Sequence, residues 1–94
     1  MGFPTETLEV VLAEDLFQEL PPALVDEMND TLDACYPYHP EEPVHSVIIR
    51  GTTFCRHLRY AYDVWMPETE EDIPLESLIE EWGVDDPDTL VAFR

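Results

Sequence analysis

Hydrophobic and polar positions alternate near the start of the chain, over residues 7–13. Leu8, Val10 and Leu12 fall on one face of this β-branched segment, which is the period-2 pattern of a half-buried strand. The next stretch, residues 14–20, fits either a short helical turn or a loop. The pattern therefore predicts a first strand followed by an undecided connection.

A helical period begins at Pro22 and continues for about 14 residues. Proline suits the first turn of a helix, and Tyr36-Pro37 marks the end because a residue before proline avoids helical dihedral angles. The predicted buried stripe of this helix consists of residues at helical spacing: Leu24, Val25, Met28, Leu32 and Cys35.

Two segments after the helix have the composition of strands. Residues 44–50 and 54–66 are rich in β-branched and aromatic side chains, and Gly51-Thr52-Thr53 separates them. This arrangement predicts a β-hairpin in which residues 54–66 form a long third strand. On such a strand Cys55 and His57 would share one face, because alternate residues of a strand point the same way.

The last third of the chain completes the predicted fold. A second helix is expected over residues 74–82, with Gly83 as its stop. Residues 86–88 have N-cap character and could start a last helical turn, whereas residues 89–93 fit a short strand equally well. Together the elements predict a single α+β domain over residues 1–94 in the order β-α-β-β-α. Its small three-stranded, mostly antiparallel sheet would carry a single layer of helices on one face.

The composition makes this small fold strongly acidic. The 94 residues include 22 Asp and Glu against four arginines and no lysine, for a formal net charge of −18 at pH 7. Such a charge excludes direct nucleic-acid binding through a basic surface and disfavours an anionic membrane. No apolar run is long enough to span a bilayer, and the N-terminus lacks the features of a signal peptide. We therefore expect a cytoplasmic protein whose cysteines are reduced.

The charges are also segregated along the chain. Residues 1–42 contain 11 acids and no base, residues 43–62 contain three arginines and no acid, and residues 63–94 contain 11 acids and one arginine. A surface that only has to be soluble normally intersperses both signs. The three central arginines are expected either to cross-brace the acidic segments or to form a self-complementary patch in a homodimer: Arg50, Arg56 and Arg59.

A dense array of carboxylates imitates the phosphates of a nucleic acid, and a basic groove attracts it over long range. The sequence therefore favours an inhibitor that occupies the DNA- or RNA-binding groove of a basic nucleic-acid-binding protein, such as a defence or DNA-processing complex. This mechanism needs neither catalysis nor a cofactor. The acids predicted to contact the partner lie on the two helices and on the approach to the second: Asp26, Glu27, Asp30, Asp33, Glu68, Glu70, Glu71, Asp72, Glu76, Glu80 and Glu81.

A zinc site is an alternative interpretation of a second cluster. Its candidate ligands are five Cys and His residues within one stretch of the chain: Cys35, His39, His45, Cys55 and His57. Their spacing matches no standard zinc finger, and Cys35 already fits the apolar stripe of the first helix, so a bound metal is not the prediction.

Several features, taken in order, match a known family. They are the leading LEVVLA strand, the Leu20-Pro21 entry into an acidic helix, the Tyr36-Pro37 step, the predicted hairpin and the C-terminal LIEEW segment. In this order the chain resembles the DinI family, small acidic proteins that modulate the RecA recombinase. The resemblance implies that the C-terminal helix imitates single-stranded DNA, with Glu76, Glu80 and Glu81 as the mimic positions. In size and acidity the chain is also similar to phage anti-restriction and anti-CRISPR proteins.

A further interpretation treats the acidity as adaptation to solvent. In a cytoplasm with concentrated salt, acidic surfaces without lysine are ordinary, and the chain would then be a housekeeping or interaction protein of a halophile. Folding at low and at high salt separates this interpretation from nucleic-acid mimicry.

Overall fold

The computed structural model describes residues 9–37, 40–41, 47–70 and 72–93. These residues form a three-stranded sheet and four helices, an α+β fold as predicted. In chain order the elements are β1 (Glu9–Leu12), α1 (Ala13–Phe17), α2 (Pro22–Cys35), β2 (Val47–Arg50), α3 (Gly51–Thr69), α4 (Leu75–Trp82) and β3 (Thr89–Phe93).

The sheet is mixed, with strand order β1-β3-β2. The C-terminal strand β3 lies at its centre, parallel to β1 with Val11 beside Val91, and antiparallel to β2 with Ile49 beside Val91. The prediction of a mostly antiparallel sheet is therefore corrected to one parallel and one antiparallel pair. The strand alternative for residues 89–93 is confirmed, and the last helical turn is not formed.

The long third strand predicted over residues 54–66 is wrong, because this segment lies inside α3. Its buried side chains recur at helical spacing, with Phe54, Leu58, Ala61 and Trp65 all at most 2% exposed. Tyr60, on the outer side of this helix, is 61% exposed. Aromatic and β-branched residues fill positions of both periods here, and the helical period is the one that buries a continuous stripe.

Other predicted elements agree with the structure more closely. The helix predicted from Pro22 is α2, although Cys35 at its end is exposed and does not belong to the buried stripe. The undecided stretch 14–20 contains most of α1. The predicted second helix is α4, and it stops at Gly83, whose φ of 68° is the left-handed conformation that glycine adopts readily. Of the predicted strand 44–50, the structure describes only residues 47–50, and these form β2.

The two faces of the sheet differ. Odd-numbered strand residues, among them Val11, Ile49 and Val91, contact the main core on the side of the helices. The even-numbered residues form the opposite face, which we call the open face: Val10, Leu12, Ile48, Arg50, Leu90 and Ala92. Val10 and Ile48 are 55% and 53% exposed on this face, so the expected single layer of helices describes the sheet correctly.

Gly51 joins β2 directly to α3 at a point where the chain comes very close to itself. A Cβ atom at this position would lie 1.8 Å from the Val84 carbonyl oxygen and 3.2 Å from that of Thr89. Only glycine permits this approach, which seats the start of α3 on the connection between α4 and β3.

We expect Gly51→Ala to destabilise the protein by about 3 kcal/mol or more, because backbone must move to admit the methyl group. Gly83→Ala is the matched control, since no atom lies within 4 Å of its added Cβ and only the positive φ is strained. That variant should lose about 1 kcal/mol. Urea unfolding measures both, and equal losses would contradict the close approach at Gly51.

Candidate interaction surface

Helix α2 carries a row of carboxylates on its outer side. Asp26, Asp30 and Asp33 are exposed and lie opposite the buried stripe of the helix, and Glu27 beside them is half-buried. At 1.5 Å of rise per residue, positions 26 to 33 span about 10 Å along the helix axis. Helix α2 contains no basic residue, so nothing on the helix itself neutralises the row.

An open groove of about 480 Å³ lies between α2 and α3, and Asp33 lines a different pocket, between α2 and α1. Glu27 and Asp30 form part of its α2 wall, and Tyr60, Val64 and His57 form its α3 wall. The groove thus combines carboxylates with an aromatic ring that is 61% exposed. A cation can bind between such groups, because carboxylates attract it and the ring face stabilises it further.

His57, which lines the groove, contacts Tyr36. The Tyr36 hydroxyl lies 3.3 Å from His57 Nε2, and the two rings meet edge to face with centroids 5.8 Å apart. Burial, and next the positive charge of Arg56, lower the pKa of His57 below its usual value of 6.5. The imidazole is therefore largely neutral at pH 7, and the charge of the groove is that of its carboxylates.

The acids of α4 differ from those of α2 because one of them is paired with an arginine. The guanidinium of Arg59 donates two hydrogen bonds to Glu76, from Nε at 2.8 Å and from Nη2 at 3.0 Å, and Nη2 donates a third to Asp85 at 2.8 Å. These bonds raise the pKa of Arg59 and lower that of Glu76. Glu76 is thus already paired within the chain, whereas Glu80 and Glu81 on the same helix are exposed.

Arg59 and Arg50 show which of the roles expected of the central arginines the structure contains. Arg59 ties α3 to two acids of the C-terminal segment, and Arg50 Nη1 donates to the Pro87 carbonyl oxygen at 3.2 Å. The expected cross-bracing is therefore present at these two positions. It leaves Arg56, which is exposed on α3.

The acids predicted to contact a partner near the end of α3 also include both exposed and hydrogen-bonded residues. Glu68 and Glu70 are exposed, and Glu70 ends the helix in the left-handed conformation, with φ of 57°. Asp72 accepts a hydrogen bond from the Tyr62 hydroxyl, and Glu71 lies outside the described residues. The predicted acids therefore include two of α2 that line the groove, Glu27 and Asp30, and two elsewhere, Glu76 and Asp72, that have hydrogen-bond partners inside the chain.

The proposed zinc ligands are not brought together in the part of the chain that the structure describes. Cys55 is fully buried in the core, while Cys35 lies on the groove with His57, and His39 and His45 lie outside the described residues. Burial, and next the charge of Asp85, raise the pKa of Cys55 to about 11, so this thiol is protonated at neutral pH. Within the described ranges no three His, Cys, Asp or Glu residues are grouped to hold a metal ion.

The predicted shared face of Cys55 and His57 is also wrong, because it required a strand. On a helix two residues at i and i+2 point about 200° apart. Tyr60 was missed as a site residue for the same reason. A helical reading of the segment places it at i+4 from Arg56 and three residues before Asp63, and all three side chains are exposed.

No family model, curated protein or solved structure matches this chain. The resemblance to the DinI family therefore stays a prediction, and the hairpin on which it partly depended is replaced by β2 and α3. None of the helices in the described ranges has the length and apolarity needed to cross a membrane.

The Arg59–Glu76 pair predicts a specific pH dependence. A lowered pKa in the folded state means that Glu76 contributes stability above its unfolded pKa, and the contribution disappears as pH falls through the lower folded value. Glu76→Gln should therefore lower the free energy of unfolding at pH 7 by no more than about 1 kcal/mol, because the pair is exposed. Urea unfolding of both proteins between pH 7 and pH 3 should show this difference vanishing below the usual pKa of 4.5. A difference that stays constant to pH 3 would contradict the pairing.

Proposed function

We propose that this protein binds a basic nucleic-acid-binding protein through the carboxylate row of α2 and the groove beside it, and so excludes nucleic acid from that partner. The observation that carries the proposal is the groove itself, in which Glu27 and Asp30 face an exposed tyrosine, Tyr60. The mechanism is steric and electrostatic competition and involves no turnover.

The groove suits an arginine or lysine side chain of the partner. A guanidinium placed over the Tyr60 ring gains a cation–π interaction of about 0.5–1 kcal/mol at an exposed site, and the carboxylates of Glu27 and Asp30 supply its counter-charge. Each exposed ion pair contributes only modestly, since water screens it. The aromatic contact therefore fixes where the partner's cationic side chain binds, and the row of acids provides most of the long-range attraction.

Neither the spacing of the row nor the charge of the whole molecule reproduces the charge density of a nucleic acid. Three aspartates over about 10 Å of helix axis give one charge per about 5 Å, whereas phosphates follow one strand at about 3.4 Å intervals. Averaged over the 53 Å long axis of the protein, a net charge of −18 gives one charge per about 3 Å, against about 1.7 Å for a duplex. The attraction to a basic groove therefore comes from the local concentration of negative charge and not from a match of spacing.

Removing three of the four α2 carboxylates should weaken partner binding by roughly tenfold or more, because several ion pairs are lost together. The variant combines three substitutions: Asp26→Asn, Glu27→Gln and Asp30→Asn. Its matched control removes the same charge from exposed acids away from the groove: Glu9→Gln, Asp15→Asn and Asp88→Asn. Binding is measured by calorimetry against the basic protein that the tagged chain captures from its own cells.

Two results would contradict the proposal. Equal weakening in both variants would show that net charge matters and the α2 row does not. A captured protein that still binds an oligonucleotide while saturated with this chain would show that the two ligands do not compete. Tyr60→Phe should retain binding and Tyr60→Leu should lose part of it, since only phenylalanine keeps the aromatic ring.

Adaptation to concentrated salt is the second candidate function of the acidity. The observation that favours it is the breadth of the acidic surface, because exposed acids occur on every one of the four described helices and on residues 85–88. A partner-binding surface needs acids on one side only, whereas an adapted surface carries them wherever water is in contact.

Folding at low salt distinguishes the two candidates. If partner binding is the function, we expect a folded protein with a cooperative unfolding transition at about 0.1 M salt, since the apolar core offsets the self-repulsion. Circular dichroism during thermal unfolding at about 0.1 M and about 2 M salt is the measurement. A chain that is unfolded at the lower concentration and folds at the higher one would favour salt adaptation.

A further inference from the structure

The groove between α2 and α3 has an acidic end and a neutral end. Its α2 wall runs from Glu27 and Asp30, through Thr31, to Ala34 and Cys35. From position 27 to position 35 the helix rises about 12 Å. Among the described residues that line the groove, the two acids both belong to the first half of this wall, and no arginine is present. The charge of the groove is therefore concentrated at one end.

The α3 wall fits this division. Helix α3 runs back along α2, because His57 near its start contacts Tyr36 at the end of α2, while Val64 shares the groove with Glu27. The imidazole thus belongs to the neutral end, and it is mostly uncharged at pH 7 because burial lowers its pKa. The ring of Tyr60 lies between the two ends and is 61% exposed.

This division selects the chemistry of an occupant. A cationic group is attracted to the acidic end, whereas an apolar side chain can lose its water at the neutral end without leaving a charge unpaired. An aliphatic polyamine carries cations along its whole length and would place one of them at the neutral end. A peptide segment with one basic and one apolar side chain matches both ends.

We propose that the groove binds a helix of the basic partner that carries an arginine one turn away from a large apolar residue such as leucine. This inference rests on the proposed function and specifies the segment that the groove recognises. Two neighbouring antiparallel helices leave a furrow along their axes, into which a third helix can pack. Residues at i and i+4 of that helix lie on one side of it, so both side chains enter the groove together.

Arginine suits the acidic end better than lysine does. Its planar guanidinium can stack on the ring of Tyr60 while its several N–H groups donate to Glu27 and Asp30. A lysine ammonium is a compact, strongly hydrated charge, and it has no planar group to lie on the ring.

An NMR titration of the isotope-labelled protein with synthetic alanine-rich peptides tests the proposal at about 0.1 M salt. The first peptide carries arginine and leucine at i and i+4 and is held helical by a lactam bridge on its opposite side. We expect it to shift the amide signals of the groove residues. Replacing its leucine by alanine should weaken binding about fivefold, because less apolar surface is buried. A control peptide with leucine at i+2 should bind as weakly, since the two side chains then point about 200° apart.

Two protein variants locate the apolar contact. Ala34→Gln fills the neutral end with a polar side chain and removes no charge, so the preference for leucine over alanine should fall below twofold. Ala23→Gln is the matched control, because Ala23 is exposed near the start of the same helix and its substitution should keep the preference. Circular dichroism confirms that both variants are folded before their binding is interpreted.

Four outcomes would overturn the proposal. They are equal binding of the three peptides, equal binding when lysine replaces the arginine, shifts confined to residues outside the groove, and no binding at peptide concentrations up to about 5 mM. The proposed function fails by a different result, since it requires the captured protein to depend on the α2 carboxylates. Peptides that the groove does not distinguish, together with a captured protein that needs those carboxylates, would refute the recognised segment alone.

Discussion

The packing of α2 against α3 is the interaction on which the rest of this structure depends. Leu24, Met28 and Leu32 from one helix and Leu58 and Trp65 from the other are almost fully buried in one core cluster. This burial is the main force available to hold together a chain whose own charges repel. It also creates the candidate site, because turning the apolar stripe of α2 inward places its carboxylates outward, and two of them, Glu27 and Asp30, line the groove that α3 completes.

The sequence predicted the elements whose pattern has a single interpretation. Pro22 and Gly83 marked the start of α2 and the end of α4 correctly, because proline and glycine act through local backbone geometry. The prediction for residues 54–66 was wrong because their aromatic and β-branched side chains fit a strand by composition and a helix by burial. The central position of β3 was also out of reach, since strand order depends on long-range pairing that five residues at a chain end do not encode.

The same error determined how much of the candidate site could be predicted. The acids of α2 needed only the helical period of that segment, and the structure places them as a row on one face. Tyr60 and the groove needed α3 to be a helix, so they were missed together. The pairing of Glu76 with Arg59 joins residues 17 positions apart across two helices. No local sequence pattern could show that this carboxylate is paired within the chain.

The segregation of positive and negative charge along the chain has two structural consequences. Arg50 and Arg59 hold the C-terminal segment against α3, so part of the basic region stabilises the fold. Among the described residues, the other acids lie on the helices, on the connections between elements and at Glu9 of β1, while the even-numbered positions of the open face carry none of them.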